Sequence, residues 1–288
     1  MQYGFSIKRK CYLLSVLLMT VWLTGCVQEE FESTPSPAGN GIRFTLTVPD
    51  VNLPSVSSRT MTGTGTAKKE DEIKTVDILV FDMSKTPAVF LEWGSATGVT
   101  QDLADNSTVS FSAVLSPTTA STCIVVVANM ELDNIVSGFT KGATTKVEAM
   151  EKMLHTQTGK WLADGSTTGG YTRIPMYGEK VISKITPSMD PITGINMKRM
   201  LARIDIRNNS VTSNFTVEEV YLANYNTTGY IAPAWNTNGQ VTEPAPDTPV
   251  LPTGSGKMTE EGDAIRYSVN GNTPYDLSLI HISEPTRR

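Results

Sequence analysis

The sequence contains few of the side chains from which catalytic and metal sites are built. Its 288 residues include only 2 histidines and 3 cysteines. His155 and His281 lie far apart, and neither belongs to a zinc-binding pattern or an evident Ser-His-Asp triad. The glycines at 63–65 and 254–257 complete neither a dinucleotide fingerprint nor a phosphate-binding loop. We therefore predict that the protein is not an enzyme and that it has no catalytic residue, no metal site and no cofactor.

The chain also lacks the clustered positive charge of a nucleic-acid-binding protein. Its formal net charge is −5 at pH 7, and the lysines are scattered. Removal of residues 1–25 would take away three cations, Lys8, Arg9 and Lys10, and would leave a charge of −8. Because contacts with phosphates require clustered positive charge, we do not expect nucleic acid to be a partner.

The N-terminal apolar run is too short to cross a bilayer, which takes about 20 apolar residues. It extends from Tyr12 to Trp22 and follows three cations directly, which is the layout of a secretory signal peptide. Two alternatives are an ordinary signal peptide and an uncleaved anchor, either of which could contain a cysteine by chance. The run ends in Leu-Thr-Gly-Cys, which resembles the lipobox of bacterial lipoproteins. This resemblance implies a signal peptide over residues 1–25 and acyl chains, including palmitate, at Cys26.

Acyl chains would hold the protein on a membrane without a spanning helix. The residue after Cys26 is Val27, whereas an aspartate at this position would resemble the signal that retains lipoproteins at the inner membrane. Residues 28–30 resemble the acidic stretch of surface-exported lipoproteins of Bacteroidota. These resemblances favour the outer membrane or the cell surface. Residues 26–40 are rich in Pro, Gly, Ser and Thr, a composition that cannot build a core and that indicates a tether.

Cys123 would be the one free thiol of the mature chain, so no internal disulfide is expected. It begins the apolar run 123–128, which is apolar on both faces and predicts a central strand. We expect Cys123 to be a small buried hydrophobic residue there rather than a nucleophile.

Alternating apolar and polar residues predict a mainly all-β protein. Ile42, Phe44, Leu46 and Val48 alternate with polar residues, which indicates a half-buried strand. Further strands are predicted at 75–81, 108–115, 122–128, 180–185, 200–206, 215–222 and 265–269. Many short strands between turn-rich loops indicate β-sandwich domains, with one or two short helices.

The clearest predicted helix begins at Thr145, which forms a capping box with Glu148. Val147, Met150 and Leu154 repeat at helical spacing, so we predict that they form the buried face. We place His155 at the end of this helix, where a positive imidazole would complement the helix dipole.

The last residues, 277–288, resemble translated sequencing-adapter read-through. We therefore interpret them as a non-native tail behind a truncated C-terminus. The alternative is a genuine terminal strand followed by a polar tail.

Five segments in chain order carry further motifs. They are an early strand that ends in Leu-Val-Phe-Asp (72–82), a central strand that ends in Ala-Asn (124–129), a segment with Pro-Met-Tyr-Gly (174–178), a strand with Arg-x-x-Ala-Arg (197–205), and a strand and turn that end in Gly-Tyr (215–230). Together they resemble the fimbrillin family, the fimbrial (pilin) subunits of Bacteroidales bacteria. The sequence departs from the family pattern at its C-terminal strand.

The resemblance implies two transthyretin-like β-sandwich domains, which we place at 41–195 and, incomplete, at 196–276. It also implies polymerisation with identical or different pilin subunits by strand exchange. Ile42, Phe44, Leu46 and Val48 would then form a removable plug strand. Pilins of this family are cut after an arginine in the following loop, and Arg59 occupies the matching place; the alternative is an ordinary loop charge.

We therefore expect a structural or adhesive subunit of a cell-surface fimbria (pilus), with a receptor on a host or bacterial surface as a further partner. A surface glycan-binding lipoprotein is the alternative, since Trp93, Trp161, Trp235 and several tyrosines could line a sugar platform. A hydrolase with an unrecognised site is a third hypothesis.

Overall fold

The computed structural model describes ten segments of the chain: 42–48, 72–101, 108–156, 173–201, 203–206, 219–222, 226–241, 251–253, 265–268 and 277–280. Their strands are β1 (Ile42–Thr47), β2 (Val76–Asp82), β3 (Val89–Ser95), β4 (Thr97–Gln101), β5 (Thr108–Ala113), β6 (Thr122–Ala128), β7 (Leu154–Thr156), β8 (Met176–Ile182), β9 (Ile192–Asn196), β10 (Lys198–Arg199), β11 (Arg203–Ile206), β12 (Glu219–Leu222), β13 (Thr228–Tyr230), β14 (Ile265–Ser268) and β15 (Leu277–Ile280). The helices are α1 (Asp133–Val136) and α2 (Lys146–Lys152). The predominance of strands confirms the predicted all-β class.

Two sheets form the sandwich. The first has the strand order β4-β5-β1-β9, and the second has the order β10-β8-β6-β2-β3. All pairs in both sheets are antiparallel except β1 with β9, which run parallel. One hydrophobic cluster fills the space between the sheets and includes Phe44 and Leu46 from the first sheet and Ile78 and Ile124 from the second.

A second hydrophobic cluster covers the other face of the five-stranded sheet. It joins Leu79 and Val125 from that sheet to Met150 of α2 and to Ile231, far along the chain. Strand β6 is therefore buried on both faces, since its alternate residues enter different clusters. This explains its continuous apolar sequence and confirms the predicted central strand.

The predicted start of the long helix is confirmed. The Thr145 hydroxyl accepts a hydrogen bond from the Glu148 amide at 3.2 Å, and the Glu148 carboxylate accepts one from the Thr145 amide at 2.8 Å. These two bonds satisfy backbone donors that the first helical turn would otherwise leave without partners.

The predicted buried face and end of this helix are wrong in part. The buried residues of α2 are Lys146, Ala149 and Met150, whereas Val147 is half-buried. The helix ends at Lys152, so Leu154 and His155 lie on β7, where they pair with β13. The predicted face is wrong at Leu154 because the helix is only 7 residues long and ends at Lys152, two residues before Leu154.

Other strand boundaries also differ from the predicted ones. Strand β8 begins at Met176, directly after Pro175, rather than at residue 180. Strands β3, β4 and β9 were not predicted; each contains a glycine, which weakens a strand pattern.

Leu277–Ile280 pairs antiparallel with β11, and the interpretation of 277–288 as a non-native tail stays a prediction. None of the helices described is both long and apolar enough to cross a membrane.

Candidate functional site

Strand β1 lies inside the four-stranded sheet although it comes first in the described chain. On one side it pairs antiparallel with β5, with Phe44 opposite Phe111 and Leu46 opposite Val109. On the other side it pairs parallel with β9, and Leu46 lies opposite Ile195. Both edges of β1 are therefore bonded to other strands.

The inward face of β1 is the one that the sequence predicts. Ile42, Phe44, Leu46 and Val48 are 4%, 1%, 0% and 1% exposed, while the intervening residues are half-buried or exposed. The rings of Phe44 and Phe111 are stacked, with centroids 5.0 Å apart and an interplanar angle of 6°. The predicted strand and its inward-facing residues are thus confirmed; their role as a removable plug stays a prediction.

The groove around β1 is closed where the two sheets approach each other. A Cβ atom on Gly178 of β8 would lie 2.7 Å from the Met197 sulfur and 2.9 Å from a methyl group of Ile195. Any other residue at 178 would force the Met197 and Ile195 side chains to shift. The Met197 amide also donates to the Thr47 carbonyl at 2.8 Å, so the chain that follows β9 holds the end of β1.

Without β1, the sandwich would present an apolar groove between two strand edges. Val109 and Phe111 of β5 and Ile192 and Ile195 of β9 would lose their apolar neighbours. Burial of each of the four inward-facing side chains of 42–48 stabilises the fold by about 1.5–3 kcal/mol, which totals about 6–12 kcal/mol. The groove can therefore bind an extended apolar strand, and its unpaired backbone groups would fix that strand in register.

Two predicted site residues, Cys26 and Arg59, lie outside the described residues. Cys123 lies on β6 and is 0% exposed, which confirms its expected burial. Burial raises the pKa of its thiol from the ordinary 9.0 to about 12, because the thiolate is poorly solvated there. The group is a protonated core residue at neutral pH.

The described tryptophans are packing residues. Trp93 and Trp235 both pack against the second hydrophobic cluster, and the ring of Tyr230 meets Trp235 edge-on with centroids 4.9 Å apart. Trp161 lies outside the described residues. Within the segments that the structure describes, no three His, Cys, Asp or Glu residues are grouped as a metal site would need.

Sequence reasoning missed the role of Asn129, which follows β6 with a positive φ of 58°. Its side-chain oxygen accepts from the Lys74 amide at 3.0 Å, and its side-chain nitrogen donates to the carbonyls of Glu72 and Ile174 at 2.8 and 3.0 Å. Asn129 thus fixes the chain where it enters β2 and β8. The only signal in the sequence is an Asn ending an apolar run, since Asn tolerates positive φ better than most residues.

The described fold is a β-sandwich whose most distinctive feature is strand β1, which is paired along both of its edges. The family model for the major fimbrial subunit protein (FimA) matches residues 42–248, beginning at the first residue of β1. The chain belongs to this family of structural fimbrial proteins. It is therefore a subunit of a cell-surface fimbria, as the motifs predicted, and assembles with other subunits.

Similar solved structures include a candidate cell adhesion protein from Parabacteroides distasonis, with 16% identity, a TM-score of 0.48, and coverage of 85% of this chain and 70% of that chain. A fimbrial assembly protein from the same species has 11% identity and a TM-score of 0.39, with 84% and 88% coverage. No curated protein matches the sequence significantly.

Proposed function

We propose that this fimbrial subunit reaches the outer membrane as a lipoprotein acylated at Cys26, and that it polymerises when a strand of another subunit replaces β1. Cleavage after Arg59 would separate β1 from the rest of the chain. The predicted division into domains at 41–195 and 196–276, and an adhesive role toward a host or bacterial surface receptor, belong to the same proposal.

The position of β1 carries the proposal. This strand fills an apolar groove, yet its neighbours in the sheet are β5 and β9 rather than β2, the next strand in the chain, so β1 is not part of a hairpin. Strand β1 can therefore leave without unfolding a hairpin. Its departure would create two open edges at once, on β5 and β9, and these would attract a strand from another chain.

The mixed sheet also permits either direction of the incoming strand. Strand β1 runs antiparallel to β5 and parallel to β9. A strand inserted in the opposite direction would run parallel to β5 and antiparallel to β9, so each orientation has one ladder of each kind. The side-chain requirement is the same in both cases: apolar residues at alternate positions.

A reversible cross-link tests strand replacement. Ser110 of β5 lies between Thr45 of β1 and Thr100 of β4 in the register of the sheet. The double variant Thr45→Cys/Ser110→Cys should form a disulfide that fixes β1 in place. The matched control Thr100→Cys/Ser110→Cys uses the same position of β5 but fixes β4 and leaves β1 removable.

After cleavage by an arginine-specific protease, the oxidised Thr45–Ser110 variant should stay monomeric, and reduction should restore polymers that appear as a ladder on a gel. The oxidised control should polymerise with or without reduction. Polymerisation of the oxidised Thr45–Ser110 variant, with its disulfide verified by mass spectrometry, would show that β1 is not the strand that is replaced.

A further inference from the structure

Lys146, the first residue of α2, is a lysine in a place where apolar side chains are expected. Its side chain is 0% exposed. The ammonium donates to the Glu179 carboxylate at 2.6 Å and to the Gly239 carbonyl at 2.6 Å. A buried ammonium is strongly unfavourable unless a counter-charge and hydrogen-bond acceptors surround it, so these two contacts are necessary for the observed position.

Glu179, on β8, is held from two further directions. The oxygen that receives Lys146 also accepts from the Tyr177 hydroxyl at 2.5 Å, and the other oxygen accepts from the Val241 amide at 3.1 Å. Burial, followed by the nearby charge of Glu179, raises the pKa of Tyr177 well above its ordinary value, so this phenol remains a donor. The carboxylate therefore receives donors from three separate groups.

Two of these contacts come from the backbone of one turn, 236–241. The Asn236 side chain organises this turn by accepting from the amides of Asn238 and Gln240, at 2.9 and 3.1 Å. Gly239 has a φ of +75°, and a Cβ atom there would lie 3.0 Å from the Lys146 Cβ. A side chain at 239 would therefore be strained by the positive φ and would press against Lys146, so the seated turn favours glycine there.

The turn belongs to a segment that crosses the outer face of the five-stranded sheet. Earlier in that segment, β13 pairs with β7, and the Ile231 amide donates to the Met153 carbonyl at 3.0 Å. Ile231 and Ala232 are buried in the second hydrophobic cluster. Residues 226–241 thus cover α2 and the sheet beneath it.

We propose that the turn 236–241 is a latch that joins the C-terminal part of the chain to the sandwich. The Lys146–Glu179 pair has its full set of partners only while the turn is seated. Release of the turn would remove the Gly239 acceptor and the Val241 donor together and would admit water to the otherwise buried ammonium of Lys146. Opening of 226–241 is therefore coupled to disruption of a charged site in the core, and this segment resists local unfolding far more than its exposed turn residues suggest.

Native-state hydrogen exchange followed by mass spectrometry tests this latch on the full chain. Gly239→Ala leaves both charges in place but unseats the turn, and it should speed exchange in 226–241 by about tenfold or more, with β1 and β5 unchanged. Gly98→Ala is the matched control, because Gly98 also has a positive φ, +64°, but has nothing within 4 Å of its would-be Cβ. This control should leave exchange in 226–241 unaltered.

Lys146→Met provides the second variant, since it removes the ammonium that contacts Glu179 and leaves that half-buried carboxylate without this partner. It should also accelerate exchange in 226–241. Unchanged exchange there in Gly239→Ala, or an equal increase throughout the sandwich, would overturn the latch. An intact mass lower by one water would overturn it as well, since Lys146 and Glu179 would then be joined by a covalent amide rather than held by the turn.

Discussion

Replacement of both Phe44 and Leu46 by alanine would show how strongly β1 stabilises the sandwich. Both side chains are buried between the two sheets, and Phe44 is stacked on Phe111. Alanine at either position leaves a cavity that the well-packed neighbours fill only in part.

The expected loss is large compared with the stability of a domain. Truncation of a buried Phe costs about 3–5 kcal/mol, and truncation of a buried Leu costs about 2–5 kcal/mol. The two positions are neighbours on one face of β1 and share a cavity, so their effects need not add. We expect a combined loss of about 5–8 kcal/mol, against a total stability of about 5–15 kcal/mol for a typical domain.

Urea unfolding of the uncleaved chain, followed by circular dichroism and tryptophan fluorescence, measures this loss. The control is Thr45→Ala/Thr47→Ala, which changes the outward face of the same strand and should alter stability by no more than about 1 kcal/mol in total. The result is informative because both variants keep the backbone and length of β1.

An unchanged unfolding midpoint in Phe44→Ala/Leu46→Ala would refute the reasoning, because it would mean that β1 is detached from the sandwich in solution. Equal losses in the two double variants would also refute it, since burial on the inward face would then not be the cause.

Four further predictions concern single residues. Cys26→Ala should abolish fatty-acid labelling and detergent-phase partitioning; undiminished label would contradict acylation there. Arg59→Ala should leave the chain monomeric after treatment with an arginine-specific protease that makes the unaltered chain polymerise. Asn129→Ala should lower the thermal midpoint more than Asn129→Gly, which loses the same side-chain bonds but adopts a positive φ readily. Because burial raises the pKa of Cys123 from 9.0 to about 12, the unfolded chain releases this proton first, so stability should fall above about pH 9, and Cys123→Ala should remove that part of the fall.

The parts of the fold that the sequence predicts well are those with a local or repeated cause. The alternation in 42–48 and the continuous apolar run at 123–128 indicate how many faces of each strand are buried. The start of α2 depends on Thr145 and Glu148, which are three residues apart. Such patterns can be recognised without knowledge of the partners.

The parts that could not be predicted depend on distant residues. The parallel pairing of β1 with β9 joins segments nearly 150 residues apart, and neither strand indicates its partner. From its charge alone, Lys146 would be predicted to lie on an exposed face of the helix. Its burial depends on Glu179 and Gly239, which lie 33 and 93 residues away. The short strand β7 likewise exists only because β13 pairs with it.

The double pairing of β1 has a mechanical consequence for a fibre. A strand at this position is bonded to β5 along one edge and to β9 along the other. Tension applied along its axis shears both ladders at once, so many hydrogen bonds share the load and must rupture together. A strand at the margin of a sheet has only one ladder to resist the same pull. Joints made by a strand in the place of β1 should therefore withstand more force than joints made at a sheet margin.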